Sequence, residues 1–127
     1  MPLVRVDLRR GKSSAYKNAI GDTVYRAMRE AFNVPDEDRF IVINEHDDDQ
    51  FDYSDKYLGI ERTGDLVIIQ ITANVGRTVE QKKALFARIA ALLAEKPGLR
   101  PQDVFINLVE VVKENWSFGG GIAQYAE

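Results

Sequence analysis

The chain has 127 residues, a net charge of −3, 45% hydrophobic and 29% charged residues, the profile of a single globular domain able to build its own core. Cysteine is absent and histidine occurs once, at His46, which excludes disulfides, thiolate metal sites, a cysteine nucleophile and any mechanism needing two imidazoles. The acidic balance argues against nucleic acid or an anionic membrane as partner, since both call for a basic face.

Leu3 to Leu8 reads as a strand. Gly11-Lys12-Ser13 follows where a phosphate-binding loop would sit, but the glycine that motif needs five positions earlier is Val6. Gly11 is therefore a turn residue, and Ser13 or Ser14 a helix cap. Tyr16, Ile20, Val24, Met28 and Phe32 recur every four residues, with Ala15, Ala19, Ala27 and Ala31 beside them, which predicts a long amphipathic helix. Val34-Pro35 through Asp38-Arg39-Phe40-Ile41 leads into a second strand. His46 to Arg62 is polar and turn-rich, a loop with at most a short hairpin. Its aspartates 47, 48 and 49 are consecutive, so their side chains diverge and read as a solvated acidic loop rather than a metal site.

Leu66 to Ile71 is the third strand, and its apolar run is far below the ~20 residues of a membrane span. Thr78 and Gln81 form a capping-box pattern ahead of a second helix, whose apolar face is Leu85, Phe86, Ile89, Leu92 and Leu93. Leu99-Arg100-Pro101 through Asp103-Val104-Phe105-Ile106 then repeats the phrase that followed the first helix, setting Asp103 against Asp38, Phe105 against Phe40 and Ile106 against Ile41. Trp116, Phe118 and Tyr125 surround Gly119-Gly120-Gly121, which reads as a flexible turn. The fold class expected is α/β (α+β): one domain, residues 1–127, of two tandem β-α-β units at about 2–45 and 65–112. Each holds a parallel strand pair with a right-handed crossover, and the units share a four-stranded sheet with both helices on one face. The other face is expected to be apolar and uncovered, which drives association with further copies.

Chemistry concentrates at the amino terminus. Proline at position 2 favours removal of the initiator methionine, which would leave a secondary amine at the head of the first strand. A free α-amino group titrates at about 8, close enough to neutrality for proton transfer, and burial lowers it. The amino-terminal stretch also lacks the apolar segment of a signal peptide, so the expected location is cytoplasmic.

Taken together, Pro2-Leu3, Phe32-Asn33-Val34-Pro35 with Asp38-Arg39-Phe40, Glu61-Arg62-Thr63, Arg77 before Glu80-Gln81-Lys82, Pro101-Gln102-Asp103-Val104 and Trp116-Ser117-Phe118-Gly119 resemble the tautomerase superfamily. The closer likeness is to its malonate semialdehyde decarboxylase subgroup. The resemblance implies that Pro2 is the catalytic proline, that Asp38 assists it, and that Arg77 holds a substrate carboxylate and polarises its carbonyl. It implies aromatic pocket walls at Trp116, Phe118 and Tyr125, for which core packing is the alternative. It also implies a small carboxylate substrate, a homotrimer, and no metal or cofactor. Arg77 matches the second arginine of an arginine-proline-arginine stretch whose other two positions are Val75 and Gly76 here. The activity expected is tautomerisation of 2-oxo acids or their enols. The alternatives are a decarboxylase or hydratase of 3-oxo acids, and a non-catalytic oligomeric protein that retains Met1.

Overall fold

The computed structural model describes residues 2–126; Met1, on whose removal the proline chemistry depends, lies outside them. Strand β1 (Leu3–Arg9) leads to helix α1 (Ser14–Phe32) and strand β2 (Ile41–His46), and β3 (Val67–Asn74) leads to α2 (Val79–Glu95) and β4 (Val104–Val111). The Ser13 hydroxyl caps α1 by accepting from the Tyr16 N–H at 3.1 Å. α2 opens with the reciprocal Thr78–Gln81 capping box. Among the described residues, no helix is long and apolar enough to cross a membrane.

The sheet order is β2-β1-β3-β4. β1 and β2 run parallel, as do β3 and β4, and the two units join through an antiparallel β1·β3 pair. Alternation sends Val4, Val6 and Leu8 of β1 and Val67, Ile69 and Ile71 of β3 to one face. There they are buried with Ile20, Val24 and Met28 of α1 and Leu85, Ile89 and Leu93 of α2. Of the predicted alanine stripe, Ala19 and Ala27 are buried, while Ala15 in the first turn is exposed.

The opposite face differs from expectation: it is mixed, not apolar. Arg5, Asp7, Arg9, Asn44, His46, Gln70, Thr72 and Asn107 alternate out of the core and interleave with Leu3, Val42, Ile68, Phe105 and Val109. Two pairs of these polar groups meet across the strands: His46 pairs with Asp7 at 2.6 Å, and the Gln70 amide donates to Asn107 at 3.1 Å. At one end Phe51, buried in the loop after β2, stacks on His46. No hairpin forms in that loop; short 3-10 turns occupy Asp48–Gln50 and Tyr57–Gly59.

The loop is held by two polar anchors. Arg62 Nη1 donates to the carbonyls of Ser54, Tyr57 and Ile60. Asp103, fully buried, accepts from the Thr63 N–H and hydroxyl, both at 2.7 Å. Removing a buried acceptor leaves donors unpaired. Asp103→Ala should therefore cost about 2–3 kcal/mol, read as a lowered urea midpoint at constant slope; a loss below about 1 kcal/mol would show that water replaces the carboxylate.

Candidate active site

Strand directions decide what meets at the amino terminus. Because β1 is antiparallel to β3 and parallel to β2, the head of β1 lies beside the head of β2 and the tail of β3. The tail of β4 ends there too, carrying the chain into residues 112–126. Val4 N–H donates to the Phe40 carbonyl at 2.9 Å and Val75 N–H to the Val111 carbonyl at 2.9 Å, extending both parallel ladders toward this end.

A pocket of 220 Å³ opens here, lined by Pro2, Leu3, Phe40, Trp116, Ser117 and Phe118. Pro2 is buried. The Trp116 and Phe118 rings stack at 5.5 Å, and Tyr125 meets Phe118 edge-on at 4.9 Å. Tyr125 thus backs Phe118 and is not part of the lining. The glycine run makes this return possible: Gly119, Gly120 and Gly121 have φ of 142°, 72° and 70°, a reversal that side chains with Cβ would resist. Gln124 fastens it, accepting from the Phe118 N–H at 3.0 Å and donating to the Gly119 carbonyl at 2.9 Å.

Arg77 and Asp38 lie beyond the lining. The Arg77 guanidinium is half-buried over the Phe32 ring, 4.6 Å from its centroid, and donates to the carbonyls of Asn74 and Phe32, each at 3.3 Å. Guanidinium carries five N–H donors, so it keeps others for an anion. Asp38 is 9% exposed. Burial pushes its carboxyl up from the ordinary value, opposed by Arg77. The two repeated aspartates have different surroundings: Asp103 is tied to Thr63 and lies 3.5 Å from the Arg100 guanidinium, whereas Asp38 feels Arg77.

Val75 is 54% exposed and does not line the pocket. Gly76 adopts φ of 127°, which proline, fixed near −65°, is unable to reach. The departure at 75–77 thus involves backbone as well as charge, and an arginine-proline graft here would strain the turn. Phe40, Leu3 and Ser117 share the pocket lining with Pro2, and Asn74 holds Trp116; none of the four is singled out by the sequence as a site residue. Phe40 was visible only as part of a repeated phrase.

A larger polar cavity of 680 Å³ lies at the other end of β1, lined by Arg9, Phe51, Tyr53, Arg62, Thr63, Gly64 and four aspartates of the loop. It holds none of the predicted site residues, and its Arg62 is committed to carbonyls. Among the described residues, no group of three or more His, Cys, Asp or Glu side chains is arranged to hold a metal ion.

A family model described as tautomerase enzyme matches residues 38–119, and a second of the same description matches residues 2–60. The chain belongs to the tautomerase family. The probable tautomerase YusQ of Bacillus subtilis (strain 168) is 42% identical over the full length of both chains. Among solved structures of this tautomerase fold, a malonate semialdehyde decarboxylase inhibited by 3-bromopropiolate is 39% identical with a TM-score of 0.91, covering 98% of this chain and 94% of its own. Another malonate semialdehyde decarboxylase, described for its decarboxylase and hydratase activities, is 31% identical with a TM-score of 0.91, covering 98% and 95%.

Proposed function

We propose that the chain is a tautomerase in which the Pro2 amine, freed by removal of Met1, moves a proton on 2-oxo acids or their enols. The observation that carries this reading is the placement of Pro2 in the wall of a mainly apolar pocket with Phe40, Trp116 and Phe118. Apolar walls disfavour the charged amine and so favour a base near neutral pH. Such a base takes the proton from carbon beside the carbonyl, or from the enol oxygen, and the resulting ammonium returns it to the other atom. Arg77 binds the carboxylate through its remaining donors and stabilises the enolate oxygen as charge develops. Asp38, close enough to feel Arg77, orients the amine or a water. Trp116 and Phe118 exclude solvent, which strengthens each electrostatic contact. Tyr125 supports Phe118. No cofactor or metal enters this scheme.

The mixed sheet face, with Phe105 45% and Val42 39% exposed, is read as the contact between copies in a cytoplasmic homotrimer.

Decarboxylation or hydration of a 3-oxo acid is the second reading, favoured by the 39% identity to a malonate semialdehyde decarboxylase. There a cationic Pro2 acts as general acid and Asp38 activates water. The pH profile separates the two: a rate that rises as the amine loses its proton is base chemistry, and one that falls is acid chemistry.

The experiment is an intact-mass measurement on untagged protein, followed by assays of aryl enol-pyruvate ketonisation and malonate semialdehyde decarboxylation. The expected result is a chain lacking Met1, measurable ketonisation and negligible decarboxylation. A retained methionine makes Pro2 an amide and overturns both enzyme readings in favour of a non-catalytic oligomer. Efficient decarboxylation with no ketonisation overturns the first in favour of the second.

A further inference from the structure

We infer that Asn74 is a positioning residue whose side chain fixes the aromatic wall of the pocket, at the same sheet end whose main chain holds the Arg77 guanidinium, an inference that rests on the pocket being the reaction site. Asn74 ends β3 and pairs in register with Val111, the last residue of β4. Its side-chain Oδ1 accepts from Trp116 Nε1 at 2.7 Å, across 42 positions of sequence. Its carbonyl accepts from Arg77 Nη1 at 3.3 Å. One residue at the sheet end therefore touches the groups that would shape the pocket and grip the anion.

The need for such an anchor follows from the fold. After β4 the chain has only a short 3-10 turn, Lys113–Asn115, before Trp116. Residues 116–118 thus line the pocket without a ladder of backbone hydrogen bonds to hold their rings at a set angle. An indole has a single donor, so the bond to Asn74 determines which way the half-buried Trp116 ring is turned. Phe118, stacked on that ring within 17° of parallel, follows it, and Tyr125 follows Phe118. The neighbouring amide Gln70, four residues earlier on the same face, is spent on Asn107 within the sheet. Asn74 instead reaches out to the tail. Because Trp116 forms wall rather than reacting group, a loosened ring weakens substrate binding more than turnover.

Trp116 is the only tryptophan of the chain, so its fluorescence reports this contact directly. In processed full-length protein, Asn74→Leu removes the acceptor at near-constant size. Acrylamide quenching of Trp116 should rise about 2-fold or more, and KM for an aryl enol-pyruvate about 3–10-fold, with kcat within about 2-fold of the parent. Asn74→Asp keeps the oxygen and should restore the protection from acrylamide. In a Trp116→Phe background, Asn74→Leu should change KM by less than about 2-fold, because the residue acts through the indole. Should Asn74→Leu fail to fold, Asn74→Ala carries the same expectations.

Unchanged quenching in a folded Asn74→Leu protein overturns the inference. So does raised quenching with unchanged KM, or the same KM rise in both backgrounds. Failure of the underlying functional reading is seen separately, as a Pro2→Ala protein that ketonises at the wild-type rate.

Discussion

Pro2→Ala in the processed protein is expected to lower the rate of aryl enol-pyruvate ketonisation at least ~100-fold, the usual scale of a lost acid–base group. The substitution leaves an α-amine in place, so the loss comes from geometry and environment rather than from absence of nitrogen. The proline ring locks φ and leaves the amine no rotation about its own Cα bond. It also fills part of the wall shared with Leu3, Phe40, Trp116 and Phe118. A primary amine on alanine rotates freely and admits water, which favours its charged form. Initial rates across the pH range provide the check: the wild-type profile should rise through the amine pKa, and the variant should be low throughout. The protein's unfolding midpoint tests for collateral damage, since Pro2 precedes β1 and interrupts no backbone ladder. A folded variant with an undiminished rate would assign Pro2 a purely structural part.

Arg77→Ala should raise KM about 10-fold and lower kcat about 10-fold for carboxylate substrates, a combined loss near 100-fold, because the cation acts in both ground and transition states. Arg77→Lys should recover a minor share. Lysine restores the charge but lacks the planar fork that donates at once to the Asn74 and Phe32 carbonyls and to an anion. Its ammonium also replaces the flat guanidinium that lies over Phe32. Part of the alanine effect will be structural, since two half-buried carbonyls lose their donor. The comparison that isolates the carboxylate contact is a substrate series with and without carboxylate: the penalty should be clearly smaller for the neutral ester, which keeps only the structural and enolate-oxygen parts. Equal losses on acid and ester would mean that Arg77 only braces the turn between β3 and α2.

Two kinds of information meet in this protein. The apolar periods of 2 and of about 3.6 residues, the Ser13 and Thr78 caps, and the repeated phrase around Asp38 and Asp103 are short-range properties. They determine which segments become strands and helices before any segment meets another. A helical crossover returns the chain to the end of the sheet where the first strand began, which makes each β-α-β pair parallel, and both pairs are. The uncovered face is mixed for a reason that β1 itself spells out by alternation: Val4, Val6 and Leu8 serve the core while Arg5 and Asp7 emerge on the other side. The candidate site shows the same division. Pro2, Asp38, Arg77, Trp116 and Phe118 were nameable from residue type and family pattern, since an amine, a carboxylate and a guanidinium carry their chemistry wherever they lie. Their assembly was not nameable, because it depends on the antiparallel union of β1 with β3. That choice among possible strand orders brings the tail of β3 to the head of β1, where Asn74 meets Trp116 from 42 positions away. The backbone of Gly76, at φ of 127°, was likewise decided by the closing of the β3–α2 turn. A glycine letter permits that conformation and does not impose it. Residue chemistry and local periodicity are written along the chain; the register that joins distant residues is a property of the folded sheet, where many weak contacts select one pairing together.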